Sequence, residues 1–317
     1  MPYYLGIDGG GNKTTCVVGD DHSLLAAATS GPSNIVRVGE ASARESLHRA
    51  VCQACDAAGI KPDQVAITCI GAAGAARVDV AGIIRRILAE LVPPSINVVG
   101  DTEIALEAAF GSGPGVIVIA GTGSIAYGRN AHGATARAGG WGFAVGDEGS
   151  AHWIGRTAIG AVLHAYDLGK GTGDHPTQSQ PPLLSALMKA WGVRSLDDLI
   201  RAANSTPAPD FSALFPVIVA SSDTGDDAAR DVLTRAGREL AQLVSIVISR
   251  LFPAPATADP RVPVAMIGGV FRHASLVREV FYNEVRRLDP RTEVNPQLID
   301  PVEGALRLAR KSAGVSG

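Results

Sequence analysis

Tyr4-Leu5-Gly6-Ile7-Asp8-Gly9-Gly10-Gly11-Asn12-Lys13-Thr14-Thr15-Cys16-Val17-Val18 reads as an apolar strand, a loop of three glycines with small polar residues, and a second apolar strand. The order returns at Val116-Ile117-Val118-Ile119-Ala120-Gly121-Thr122-Gly123-Ser124-Ile125-Ala126-Tyr127. Loops this rich in glycine let backbone N–H groups converge on an anion, because no side chain blocks the approach and positive φ costs little. One such loop in each half implies two related lobes that grip one polyphosphate.

The 317 residues amount to about two domains, and 46% hydrophobic composition is ample for two cores. A net charge of −3 provides no basic field for nucleic acid or an anionic membrane, so the expected partners are small molecules. Met1-Pro2-Tyr3-Tyr4 carries no basic region ahead of an apolar core, and no apolar run reaches membrane-spanning length. The expectation is a soluble, cytoplasmic protein. Cys16, Cys52, Cys55 and Cys69 all fall in the first quarter, which suits reduced thiols. Cys52 and Cys55 lie in a helical pattern with no further cysteine or histidine pair to complete a zinc site, so they read as two small helix residues.

Apolar runs at Gln64 to Gly71 and Ile96 to Gly100 alternate with helical patterns at Glu40 to Ala58, Val80 to Leu91 and Asp101 to Phe110, and Ser23 to Thr29 reads as a third strand. Continuous apolar strands separated by helices imply a parallel α/β sheet covered on both faces. Gly111-Ser112-Gly113-Pro114-Gly115 breaks the pattern and marks the boundary between a first lobe, residues 1–112, and a second, residues 113–297. The second lobe opens with strands to about Gly142. Helices are then expected over Ser150 to Leu168, Pro182 to Ala190, Ser195 to Ala203, Phe211 to Ser221 and Asp226 to Leu251. A strand from Val262 to Ile267 and a helix from His273 follow, and Gly169 to Gln180 reads as a surface loop.

No G-x-x-x-x-G-K-[ST] motif occurs. Gly121 to Ala126 matches a dinucleotide pattern but leads into a strand, whereas that motif requires a helix N-terminus. Asp8, at a strand end beside a phosphate cradle, would repel phosphate unless a cation lies between them, which points to Mg²⁺ held directly or through water. Lys13 offers a compact charge, and Asn12 and Thr14 offer neutral hydrogen bonds. Asp101 closes a strand at the sheet's carboxyl edge and reads either as an N-cap or as a general base that accepts a proton from an attacking alcohol. Gly139 to Ser150 holds five glycines around Trp141, Asp147 and Glu148. It suits a sugar floor, with carboxylates on vicinal hydroxyls and an aromatic face on C–H bonds, and it equally suits a helix start. Asn34 lies in a turn, and Gly268-Gly269 permits a close approach at a strand end.

Taken in order, these segments resemble the N-acetylglucosamine kinases and the related BadF/BadG/BcrA/BcrD ATPases of the actin, Hsp70 and sugar kinase superfamily. The most specific part is Gly121-Thr122-Gly123-Ser124 with Gly140-Trp141-Gly142 and Gly146-Asp147-Glu148-Gly149-Ser150. The resemblance implies two ribonuclease H-like (actin-like ATPase) lobes with the active site in the cleft between them, and a C-terminal helix near 298–314 that returns to the first lobe. It implies an ATP- and Mg²⁺-dependent kinase acting on the 6-hydroxyl of N-acetylglucosamine, with glucosamine and N-acetylmuramic acid as close alternatives, and a homodimer.

Asp101 would then be the base. Asn34, Thr122, Gly123, Gly140, Trp141, Asp147 and Glu148 would hold the sugar. Gly10, Gly11, Asn12, Lys13, Thr14, Gly121, Thr122, Gly268 and Gly269 would hold ATP. Gly71-Ala72-Ala73-Gly74 stands where animal members place a serine against the sugar, so the acyl preference is open. A 2-hydroxyacyl-CoA dehydratase activator, an ATPase that drives a partner protein, would need iron–sulfur cysteines after the second loop, and no cysteine follows Cys69.

Overall fold

A computed structural model describes residues 2–75, 77–168, 182–253 and 261–315. The loop expected over Gly169 to Gln180 lies outside the described residues. The chain runs β1 (Tyr3–Gly9), β2 (Thr14–Gly19), β3 (Leu24–Ser30), α1 (Ile35–Ala58), β4 (Val65–Ala72), α2 (Val78–Leu88), β5 (Ile96–Gly100) and α3 (Asp101–Phe110). It continues β6 (Gly115–Ala120), β7 (Ser124–Arg129), β8 (Thr135–Gly139), α4 (Ala151–Asp167), α5 (Pro182–Trp191), α6 (Leu196–Ala203), α7 (Phe215–Asp223) and α8 (Asp227–Leu251). The last elements are β9 (Val262–Ile267), α9 (Gly269–His273), α10 (Ser275–Leu288), β10 (Thr292–Val294) and α11 (Pro301–Ser312).

The first sheet is ordered β3-β2-β1-β4-β5 and the second β10-β9-β6-β7-β8. Read from the other edge, the second order is β8-β7-β6-β9-β10, so the two sheets repeat one topology of five strands. In the first, β1–β2 and β2–β3 are antiparallel, and β1–β4 and β4–β5 are parallel. In the second, β7–β8 is antiparallel and β9–β10 is parallel. The doubled glycine hairpin is thus the visible part of a repeated unit. Helices α4 to α8 stand in the second unit where the first has α1 alone.

Chain contacts divide the molecule into Met1–Ile117 with Ile299–Gly317, and Val118–Leu298. In the first unit, alternation along β1 sends Leu5 and Ile7 to one face, with Leu47, Val51, Ile84 and Leu88 of α1 and α2, while Tyr4 goes to the other. There Tyr4, Cys69 and Ile104 meet Val302, Ala305, Leu306 and Ala309 of α11. Each fully buried Leu or Ile on these faces contributes about 1.5–3 kcal/mol.

Gly304 sets the distance between α11 and α3: a Cβ there would overlap the Ile104 carbonyl oxygen and lie 2.7 Å from the Ala108 nitrogen. Polar groups fix the C-terminal end of α11. Lys311 pairs with the buried Glu107 at 2.7 Å, and Arg310 donates to the carbonyls of Asp20 and Ser23 at 2.7 and 2.8 Å.

Several boundaries differ from the sequence pattern for local reasons. Helix α1 begins five residues before Glu40, because Asn34 caps a first turn that Gly39, at φ 77°, separates from the rest. The helix expected over Phe211 to Ser221 is a 3-10 turn, Phe211–Leu214, followed by α7, with a proline in its first turn. The helix expected from His273 has a forerunner, α9, that starts at Gly269. Strand β10 is three residues long and gives too little alternation to be seen in the sequence.

Candidate active site

In the first unit, the loop between β1 and β2 closes when the Gly10 N–H donates to the Lys13 carbonyl at 3.0 Å. A Cβ on Gly10 would stand 2.9 Å from that same oxygen, so the turn has room only for glycine. Gly9, Gly10, Gly11, Gly121 and Gly123 are all absent from the positive-φ glycines, which corrects the conformational half of the expectation; space shapes both loops. The Ser33 and Asn34 N–H groups donate to the Gly10 carbonyl at 3.1 and 3.2 Å and anchor the loop to the start of α1.

Thr14 is buried, and its hydroxyl donates to the Gly31 carbonyl at 2.8 Å and shares a 2.7 Å hydrogen bond with the Ser33 hydroxyl. That side chain therefore braces the loop from inside. Asn12 and Lys13 are exposed, and Arg37 of α1, a residue the sequence did not single out, donates to Asn12 Oδ1 at 3.3 Å. The Asn34 side chain accepts from the Val36 N–H at 3.1 Å, which is the turn-forming role weighed for it.

Asp8 aligns with Gly71 of β4, and Gly71 with Val99 of β5, so Asp8 and the residues after β5 lie at one carboxyl edge of the sheet. Asp101 is not the cap of α3: Gly100 holds that place, and its N–H is satisfied by Glu103 Oε1 at 3.1 Å. The Asp101 carboxylate accepts the adjacent Thr102 N–H at 2.9 Å. Burial raises its pKa, against the lowering effect of backbone hydrogen bonds from Thr102 and from its own N–H. The Asp8 carboxyl is pushed to about 7, first by burial and then by the charges of Asp101 and Asp300, with Lys13 opposing. Asp300 caps α11 through the Val302 N–H at 3.3 Å; no motif in the sequence drew attention to it.

In the second unit, the loop between β6 and β7 is held by the N-terminus of α4. Ala151 N–H donates to the Gly121 carbonyl at 2.8 Å and His152 N–H to the Thr122 carbonyl at 3.4 Å, while Ser150 Oγ caps Trp153 at 3.1 Å. The first free amides of α4 are thus spent on this loop's carbonyls. The chain then enters β7, as the sequence reading required in setting aside a dinucleotide site. Gly140 N–H donates to the Ser124 carbonyl at 3.0 Å, and Ser124 Oγ donates to the Glu148 carbonyl at 2.7 Å.

Asp147 is the one non-glycine residue with positive φ, 64°, among the described residues, a conformation that costs of order 1 kcal/mol or more. Its carboxylate is buried, accepts the Gly142 N–H at 3.2 Å, and lies 2.8 Å from where a Cβ on Gly123 would stand. Burial pushes its pKa up, against backbone hydrogen bonds from Gly142 and Ser124. Helix α4 starts at Ala151, so Asp147 and Glu148 precede it.

Trp141, the residue before Gly142, stands 65% exposed, with the Arg137 guanidinium 4.2 Å from its ring centroid. Phe143 packs on His152 with centroids 5.1 Å apart. Glu239 of α8 has its pKa raised by burial and then by the charge of Glu148. Arg137 and Glu239 were missed because neither belongs to a glycine-rich segment.

Gly268 has φ 107°, and a Cβ there would overlap the Ala120 carbonyl oxygen, so this glycine lets the end of β9 lie against the end of β6. Gly269 is open, with only His273 near its Cβ position, at 3.9 Å. Among the described residues no group of three or more His, Cys, Asp or Glu side chains is placed to hold a metal ion. Cys16, Cys52, Cys55 and Cys69 are free thiols, and Cys52 and Cys55 lie on α1. No helix among the described residues is long and apolar enough to cross a membrane.

The chain is 32% identical over 315 residues to the N-acetylmuramic acid/N-acetylglucosamine kinase of Clostridium acetobutylicum, covering 98% of this chain and 99% of that one. It is 29% identical over 324 residues to the N-acetyl-D-glucosamine kinase of Dictyostelium discoideum, covering 98% of each. The crystal structure of a Chromobacterium violaceum protein provisionally assigned as an N-acetylglucosamine kinase superposes with a TM-score of 0.75 at 26% identity, over 98% of this chain and 99% of that one. Residues 5–309 match the BadF/BadG/BcrA/BcrD ATPase family. The resemblance read from the glycine loops therefore holds across the chain, which belongs to the BadF/BadG/BcrA/BcrD ATPase family.

Proposed function

We propose that this protein is an ATP-dependent amino-sugar kinase that transfers the γ-phosphate to the 6-hydroxyl of N-acetylglucosamine. The observation that carries this reading is Asp101. The capping task that would explain an aspartate at a helix start belongs to Gly100 and Glu103, which leaves a partly buried carboxylate of raised pKa at the sheet's carboxyl edge. Such a group accepts the proton of an alcohol as its oxygen attacks phosphorus.

The supporting roles follow from placement. Gly11 to Lys13 offer backbone N–H groups and one exposed ammonium to phosphate, while the Gly10 N–H closes the turn, and Thr122 and Gly123 offer N–H groups from a loop whose Gly121 and Thr122 carbonyls are already bound by α4. Asp147 offers a buried carboxylate to sugar hydroxyls, and Trp141 offers an exposed aromatic face to the sugar's C–H bonds. Gly269 leaves space for the nucleoside, with Gly268 keeping the strand end in place.

Asp8 fits a Mg²⁺ ion held largely by water and phosphate, since no cluster of three protein ligands exists among the described residues. Bound Mg²⁺ would offset the negative charge of the polyphosphate. With ATP and an amino sugar as substrates the expected compartment is the cytoplasm, and the same family resemblance leads us to expect a homodimer, which light scattering would test. Proton-coupled phosphorus NMR of the product tests the site of transfer: coupling to the two C6 protons supports the reading, and coupling to the anomeric proton refutes it.

A further inference from the structure

The second residue of α4 makes two contacts that lead in different directions. The His152 N–H donates to the Thr122 carbonyl at 3.4 Å, and the His152 ring, 7% exposed, meets two phenylalanines. Its centroid lies 5.1 Å from that of Phe143, tilted by 48°, and 5.2 Å from that of Phe211, edge-on at 73°. At both distances aromatic pairs attract. Phe211 is itself buried and met by Trp191 of α5, with centroids 5.4 Å apart. Gly155, one turn along α4, leaves no gap beside it, since a Cβ there would overlap the Phe211 carbonyl oxygen. Helix α4, the 3-10 turn at Phe211 and the His152 ring are therefore packed as one block.

Phe143 belongs to a segment with little packing of its own. Trp141 to Val145 are all exposed. The turn closes on a single oxygen, the Gly142 carbonyl, which accepts the Val145 and Gly146 N–H groups at 3.1 and 2.9 Å. The Gly142 N–H in turn donates to Asp147 Oδ1 at 3.2 Å. Gly142 has φ 90° and open space where a Cβ would stand, so it adds no stiffness. The contact of Phe143 with His152 is what ties this turn to α4.

We propose that His152 is a positioning residue for the sugar: through the Phe143 ring and the Gly142 peptide it holds the Asp147 carboxylate where a sugar hydroxyl meets it. The inference rests on the amino-sugar kinase reading, which gives Asp147 that task. The His152 N–H meanwhile holds Thr122 in the loop proposed for phosphate, so one helix start fixes both segments.

The test measures KM for N-acetylglucosamine and calorimetric binding of Mg-ATP in Phe143→Ala, His152→Ala, the double variant and His152→Phe. Each alanine variant is expected to raise the sugar KM about tenfold, the scale of one aromatic pair, with Mg-ATP binding within about twofold of the parent, because the residue 152 N–H remains. The double variant should also show about tenfold, since both changes cut one path, and His152→Phe, which keeps a ring, should recover most of the loss. Phe143 is exposed, so Phe143→Ala keeps the fold and decides the matter even where His152→Ala does not fold. An unchanged sugar KM in Phe143→Ala overturns the proposal. So does a folded His152→Ala with the parent's KM, which would leave Phe143 as a direct sugar contact, or a double variant about 100-fold worse, which would make the two effects independent. Equal loss of Mg-ATP binding would reduce His152 to a core residue and overturn it as well. No transfer to any amino sugar by the unaltered protein would instead remove the kinase reading on which the proposal rests.

Discussion

The Asp147 carboxylate occupies the space that a side chain on Gly123 would need: a Cβ there would stand 2.8 Å from Asp147 Oδ2. The loop between β6 and β7 and the segment around Asp147, proposed here to bind phosphate and sugar, are thereby coupled through one missing methyl group. Asp147 holds its place in a left-handed conformation, so it has little freedom to retreat.

Gly123→Ala is expected to displace that carboxylate and lower kcat/KM for the sugar by about 100-fold, the scale of a misplaced binding group. Stability should change little, because the loop is partly exposed. Steady-state kinetics and a thermal melt on the same sample check both halves.

Asp101→Asn should lower kcat by about 10²–10⁴-fold, the usual contribution of a general base. Binding of Mg-ATP, measured by calorimetry, should stay within a few-fold of the parent. Loss of nucleotide binding would make Asp101 a structural residue.

Asp8 sets a pH dependence in the ligand-free protein. Its folded pKa is raised to about 7, so between the ordinary carboxylate range and pH 7 the folded state holds a proton that the unfolded chain has lost. Its contribution to stability is full below the unfolded pKa and is lost as pH rises through 7. Asp8→Asn should therefore raise the melting temperature at pH 8 without nucleotide and flatten the decline from pH 4 to 7. A variant that melts lower than the parent at pH 8 would contradict the assignment.

Gly304→Ala tests the seat of α11. The added methyl would overlap the Ile104 carbonyl, and overpacking of this kind costs about 1–3 kcal/mol. Chemical denaturation should show the midpoint falling with little change in slope.

The hairpins and apolar runs made the α/β class and most elements legible, because glycine punctuation and strand periodicity are local signals. Asp8, Asp101 and Asp147 were legible because acids beside glycine at strand ends stand out. Arg137 and Asp300 were not, since an arginine on an edge strand and a capping aspartate look ordinary until the fold brings one to Trp141 and the other within electrostatic reach of Asp8. The importance of Gly304 was hidden for the same reason: its neighbour Ile104 lies 200 residues away in the chain.

The most direct test of the account is ADP production from Mg-ATP across N-acetylglucosamine, N-acetylmuramic acid, glucosamine, N-acetylmannosamine and glucose. Strong stimulation by an N-acetylated amino sugar, absent in Asp101→Asn, is the result the account predicts. Equal ADP release with and without every sugar would contradict it and point to an ATPase that serves a protein partner.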